Sequence, residues 1–155
     1  MLVHQVIKYV IILSLILNFG LTQENAWVKT ESGCEYWPSH TDAEKITWDG
    51  SCKDGKVDGK FTAYYENGQL EIEENFKDGK PNGNFTTYYE NGQIKKEGNH
   101  KNGIRDGKRT KYFENGQIQW ENYYKDGEYD GKCTYYNEDG SIDRVEEYKD
   151  GKLVE

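Results

Sequence analysis

The stretch "YYENGQ", Tyr64 to Gln69, returns unchanged at Tyr88 to Gln93 and, slightly altered, as "KYFENGQ" at Lys111 to Gln117. Aligned on its glycine, the interval is 24 residues each time: Gly68, Gly92, Gly116, Gly140. Other columns keep step. Tyr64, Tyr88, Tyr112 and Tyr136 form one, Thr62, Thr86, Thr110 and Thr134 another, and Glu66, Glu90, Glu114 and Glu138 a third. Leu70, Ile94, Ile118 and Ile142 make an aliphatic column; Phe76, His100, Tyr124 and Tyr148 a mostly aromatic one. A second signature alternates with the first: "KDGKVDGK" from Lys53, "KDGKPNGN" from Lys77, "KNGIRDGK" from Lys101 and "KDGEYDGK" from Lys125, with a partial "KDGK" at Lys149. A period this strict marks a repeat array.

Each unit reads as a β-hairpin. "FTAYYE" is rich in aromatic and β-branched residues, which suits a strand. Asn67-Gly68 predicts a two-residue type I′ turn, because both central residues of that turn need positive φ. "QLEIEENF" alternates as the return strand, and the "DGxxDG" segment turns the chain into the next hairpin. This register sets Glu66 opposite Gln69 and Tyr65 opposite Leu70. One face then carries Phe61, Ala63, Tyr65, Leu70, Ile72 and Phe76, and the other Thr62, Tyr64, Glu66, Gln69, Glu71 and Glu73. In later units the apolar face is diluted by Lys96, Arg109, Lys111 and Arg144. The expected fold is all-β: about nine strands in an elongated single-layer sheet, with an apolar face that no helix covers. Such a face, or the edge strand near Glu155, is a candidate surface for a partner or for homodimerisation.

The composition agrees with a thin-cored array. Hydrophobic residues make up 34% of the 155-residue chain, yet 13 Tyr, 5 Phe and 4 Trp are too many for a disordered acidic tail. The first residues differ from the rest. "MLVHQVIK" carries one lysine and no acid, and "YVIILSLILNF" (Tyr9 to Phe19) is an apolar run of eleven residues. Gly20, Leu21, Thr22 and Gln23 follow. This is the pattern of a secretory signal peptide, cleaved near Thr22 or Gln23. The run falls short of the ~20 apolar residues that span a bilayer, so membrane contact is expected only if the segment stays uncleaved. The chain divides into a signal peptide (1–23), a lead-in with Cys34 (24–45) and a repeat domain (46–155) of about four and a half units. Removing residues 1–23 leaves 19 basic and 28 acidic residues, a net charge of −9. That balance argues against nucleic acid and against anionic lipid. Export places the chain outside the cytoplasm and permits disulfides. Cys34 and Cys52, close in sequence and both ahead of the clean repeats, are expected to pair. Cys133, in the column of Phe61 and Phe85, reads as a small buried residue.

No catalytic constellation stands out. His4 falls in the signal segment, which leaves His40 and His100, and His100 occupies the aromatic column. None of Ser32, Ser39, Ser51 and Ser141 sits in a nucleophile motif. Asp126 to Gly131, "DGEYDG", carries oxygens like the start of a calcium loop, but Asn137 stands where its closing Glu would be and sister copies place Lys56 or Lys80 among the ligands. Local turn geometry accounts for its Asp and Gly. No metal, no cofactor and no enzymatic activity are expected. Asn84-Phe85-Thr86 is a glycosylation sequon that matters only in a glycosylating host. The candidate binding residues are Tyr64, Tyr88, Tyr112 and Tyr136, one per unit on the polar face. They can either shield the ladder or bind an extended peptide or glycan.

The repeated "YYENGQ(L/I)…(F/Y)KDGKxDG" resembles the variant MORN repeat of YwqK-type antitoxin-like proteins, over about Thr47 to Glu155. The entry segment "ITWDGSCKDGKVDGK" (Ile46 to Lys60) is similar to the opening of an ordinary MORN array. The resemblance implies a single-layer sheet of successive hairpins, and a non-catalytic module for protein binding or scaffolding. An antitoxin- or immunity-like role, neutralising an effector, is the alternative it implies. An export signal sits poorly with a cytosolic antitoxin, and the acidity with lipid binding.

Overall fold

The computed structural model describes residues 28–29, 33–36 and 47–154. The expected signal segment, most of the expected lead-in and His40 lie outside them. The described chain is all strand and turn: β1 (Val28–Lys29), β2 (Glu35–Tyr36), β3 (Thr47–Lys53), β4 (Lys56–Tyr64), β5 (Leu70–Lys77), β6 (Lys80–Tyr88), β7 (Ile94–Lys101), β8 (Ile104–Arg105), β9 (Gly107–Tyr112), β10 (Ile118–Lys125), β11 (Glu128–Tyr129), β12 (Gly131–Tyr136), β13 (Ile142–Lys149) and β14 (Lys152–Leu153). All belong to one sheet, and the long strands follow one another in chain order as antiparallel neighbours. The nine long strands match the expected number. No helix among the described residues is long and apolar enough to cross a membrane.

The expected type I′ turn is not found at "ENGQ". At "ENGQ" only the glycine has positive φ: 83° at Gly68, 84° at Gly92 and Gly116, 83° at Gly140. The Gly68 amide donates to the Tyr65 carbonyl (2.9 Å) and the Tyr65 amide to the Gln69 carbonyl (2.8 Å). This is a three-residue loop, a type I turn closed by a left-handed glycine, in place of the expected type I′ turn. The asparagine is there for its side chain. Asn67 Oδ1 accepts from the Gln69 amide at 2.8 Å, and Asn91, Asn115 and Asp139 repeat the bond at 2.9 Å. The longer loop also corrects the register at the tip. Leu70 pairs with Tyr64 rather than Tyr65, and a bulge restores the expected Ala63–Ile72 pairing one step on. The type I′ turn sits instead at "KDGK". Asp54, Asp78, Asn102, Asp126 and Asp150 all lie at φ of 48–53°, each followed by a positive-φ glycine. Asp126 therefore serves turn geometry.

Beyond each type I′ turn the strand is kinked by extra residues. Phe76 faces Pro81 while Glu74 faces Phe85, so β6 holds two more residues than β5 between those pairs. The kinked hairpin end carries Val57, Pro81, Arg105 or Tyr129 onto the aromatic column. Val57 and Pro81 are fully buried, and Tyr129 packs between Tyr124 (4.6 Å) and Tyr148 (5.0 Å). The hairpin ends of the array thus help to cover its own apolar face. The core begins with Cys34, Val57, Phe61, Ala63, Ile72 and Phe76 and thins toward β13, where Ile142 and Val145 are 61% and 47% exposed. The expected disulfide is present. Cys34 and Cys52, 18 residues apart, are bonded, and the Glu35 amide donates to the Gly55 carbonyl at 2.7 Å. The bridge holds Cys34 within the first core cluster. Cys133 is free and buried.

Two measurements check this account. Glu114 occupies the first central position of a type I turn, where proline is preorganised and no ladder amide is lost. Glu114→Pro is expected to leave the melting temperature unchanged or raise stability by up to ~1 kcal/mol; in a type I′ hairpin that amide would be needed and the change would destabilise. Cys52→Ser removes a loop closure and is expected to cost about 3 kcal/mol in denaturant unfolding under oxidising conditions, with no difference between the two proteins in reductant.

Candidate functional site

The alternation of strands sorts the side chains of the array into rows that cross it, and each face has its own chemistry. On the outer face, threonine and glutamate alternate from strand to strand. Thr62 pairs with Glu73, Glu73 with Thr86, Thr86 with Glu97, Glu97 with Thr110, Thr110 with Glu121, and Glu121 with Thr134. The tyrosine column lies beside this row. Tyr88 Oη donates to Glu73 (3.2 Å) and Tyr112 Oη to Glu97 (2.7 Å), in each case reaching back one repeat. Burial, then the Glu97 hydrogen bond, pushes the Tyr112 phenol up to about 12. Lys60 (2.5 Å from Glu73) and Lys108 (bonded to Glu121) complete the row. The expected candidates Tyr64, Tyr88, Tyr112 and Tyr136 therefore share one face and are all half-buried. Two of the four hydroxyls are already engaged within the sheet.

The neighbouring tyrosine of each "YY" was not singled out in the sequence, yet it fastens one repeat to the next. Tyr65 Oη donates to the Tyr88 carbonyl (2.6 Å) and Tyr89 Oη to the Tyr112 carbonyl (2.7 Å). The periodic second aromatic, Tyr65, Tyr89 and Phe113, was the available signal. Its partner was not, because a side chain bonded to a backbone carbonyl in another unit leaves no trace in residue type.

The inner face departs from strict repetition. One row holds Phe61, Glu74, Phe85 and Gly98 in successive pairs, then Arg109 with Asn122 and Cys133 with Glu146, with Arg109 beside Gly98. Glu74 is 1% exposed and His100 5%, and their side chains meet at 2.9 Å. His100 also stacks on Phe85 at 5.0 Å. His100 thus packs in the aromatic column as expected, and in addition satisfies a buried carboxylate that sequence reading had passed over. A Cβ at Gly98 would stand 2.8 Å from Arg109 Cγ and 2.9 Å from a Phe85 ring carbon. The missing side chain lets the Arg109 guanidinium lie 4.7 Å from the Phe85 ring centre and 5.7 Å from that of Tyr124.

The parallel row runs Ala63, Ile72, Thr87, Lys96, Lys111, Trp120, Tyr135, Arg144. Lys96 and Lys111 are direct cross-strand partners, a like-charge pairing that costs stability. The Lys96 amine, ordinarily near 10.5, is pushed down to about 8 by burial and then by Arg109, Lys111, Lys95 and Arg105. Among the described residues, no three or more histidine, cysteine, aspartate and glutamate side chains are grouped so as to hold a metal ion.

Residues 57–78, 81–102, 105–126 and 129–155 each match the MORN repeat variant family. The chain belongs to this family. The matched segments cover more than half of it, and they begin at the residue that each kinked hairpin end lays on the aromatic column. No curated protein matches the chain.

The lowered Lys96 value has a consequence for stability. Between about pH 8 and 10.5 the unfolded chain holds a proton at Lys96 that the folded chain has released, so stability rises across that window. The raised tyrosines, Tyr112, Tyr124 and Tyr135, each near 12, act oppositely above about pH 10. Melting temperatures at pH 7.5 and 9.5 for the native chain and Lys96→Gln isolate the lysine. Relative to the variant, the native chain is expected to gain stability at the higher pH.

Proposed function

We propose that this chain is an exported, non-catalytic binding or scaffold module that holds a partner protein on its sheet. The observation that carries the reading is the outer ladder, in which tyrosine, threonine and glutamate recur with the repeat and the tyrosines stay half-buried at its surface. A catalytic acid and base would need distinct environments that break such repetition. Membership in the MORN repeat variant family supports a repeat-based binding role. The Cys34–Cys52 bridge supports an oxidising compartment, as does the apolar segment from Tyr9 to Phe19. The domain division is that of an exported leader (1–23), a disulfide-fastened lead-in (24–45) and the array (46–155).

Tyr64, Tyr88, Tyr112 and Tyr136 are the proposed aromatic contacts, offering ring surface while their carboxylate neighbours hold some hydroxyls in place. Self-association has a separate surface. The outer edge of β13 pairs with β14 only at Tyr148 and Lys149. An immunity-like role is the same binding act with an effector as the partner, and the variant repeat motif is what favours it.

A pull-down from envelope extract with residues 24–155 tests the reading. The expected result is a specific protein, retained less when the four column tyrosines are changed to serine in a variant whose circular dichroism is unchanged. Retention of no protein would overturn the binding role. Retention unaffected by the serine changes would move the site off the outer face.

A further inference from the structure

The inner face concentrates cations at one place in an otherwise acidic chain. Lys96, Arg105, Arg109 and Lys111 come from three consecutive strands, β7, β8 and β9. Lys60, Lys108, Arg144 and Lys149 each meet a carboxylate. Among the described residues the side chains of the inner four meet none. Among these residues the guanidinium groups of Arg105 and Arg109 lie against aromatic rings. Arg109 is 6% exposed, and its Nε is buried without a hydrogen-bond partner, as is Oδ1 of Asn122 directly across the strand pair. The carboxylate that acts most on Arg109 is that of Glu74, which is held by His100.

This arrangement costs stability as it stands. A buried guanidinium donor without a partner and two lysines in direct cross-strand register are both unfavourable. Neither is forced by the repeat, because the equivalent pairs are Ile72–Thr87 and Trp120–Tyr135. Departures from an otherwise consistent pattern concentrate at functional sites.

We propose that this inner-face cluster binds an extended acidic peptide segment of a partner protein, its carboxylates on Lys96 and Lys111 beside the buried Arg109, and an apolar residue on Trp120. The inference rests on the protein-binding reading above and adds to it a contact on the opposite face of the sheet, for an acidic segment of the partner. Charge complementarity chooses the sign of the ligand. The shape of the strip chooses its form. From Thr87 to Tyr135 the row crosses five strands, about 19 Å at ~4.8 Å per strand, the length of about six extended residues. A lone small anion would leave most of that row unused.

The test is fluorescence anisotropy with the full chain and a labelled octapeptide alternating Glu and Ser, beside its Gln/Ser counterpart. The Glu peptide is expected to bind at least ten-fold more tightly than the Gln peptide. Lys96→Gln with Lys111→Gln is expected to abolish that preference at unchanged or higher melting temperature, and added salt to weaken it. On binding, the Lys96 amine, followed by NMR, should titrate at higher pH than in the free chain. Equal binding of both peptides, or binding of neither, overturns the proposal. So does full competition by inorganic phosphate at a concentration equal to that of the Glu peptide, or capture of phosphatidylserine vesicles without capture of the peptide. Should the double variant still retain in the pull-down whatever protein the native chain retains, the acidic-peptide site falls while the binding role stands. If the native chain retains none, the binding role falls first.

Discussion

The array depends on one backbone hydrogen bond made once per repeat. From the second type I′ turn onward, the turn's glycine amide reaches the preceding unit: Gly79 to the Val57 carbonyl, Gly103 to Pro81, Gly127 to Arg105 and Gly151 to Tyr129, at 2.7–3.0 Å. To make this bond the hairpin end must bend out of the plane of the main sheet. The bend requires the extra residues beyond the turn, and it is the bend that lays Val57, Pro81 or Tyr129 on the aromatic column. A sheet without this contact would expose the face that Phe61, Ile72 and Phe76 form. The strict period follows from it as well, because an insertion between successive turns would carry donor and acceptor out of register.

The opposite ends of the hairpins are fastened by different chemistry. There the phenols of Tyr65 and Tyr89 reach the backbone of the next unit. Each junction between the early repeats is therefore clamped at both ends, and the strands between are held by their ladder. In a quasi-one-dimensional array, stability is close to a sum over units and their junctions. The polar inner face of the third unit is compatible with folding on those terms, since its neighbours carry the apolar contacts that it lacks. The disulfide supplies at the first unit what a preceding repeat would supply, namely a covalently held segment over Val57 and Phe61.

The two faces answer different constraints. The outer face repeats because each tyrosine–glutamate contact is built between successive units, so the same residues are required wherever a further unit follows. The inner face varies because the hairpin ends shelter it unequally. Ile72 is buried, its counterpart Lys96 is only partly so, and Arg144 at the same position of the last unit is exposed, 3.6 Å from the Tyr135 ring centre.

By itself the sequence determined the period, the all-β class, the separation of an apolar from a polar face, the pairing of Ala63 with Ile72 and the partnership of Cys34 with Cys52. These follow from local residue type and spacing, which one chain records directly. Tertiary structure decided the rest. Asn-Gly is compatible with a two-residue type I′ turn and with a three-residue turn closed by glycine, and only the competition between the Asn67 side-chain bond and strand twist selects the second. Asp tolerates positive φ as Asn does, so the placement of the type I′ turn at "KDGK" rather than "ENGQ" was not legible in composition. The burial of Glu74 left no mark in the sequence, because its partner His100 lies 26 residues away. Lys96 and Lys111 read as dilution of an apolar stripe. Their meeting across β7 and β9 is a matter of register between repeats, where distance in space no longer follows distance in sequence.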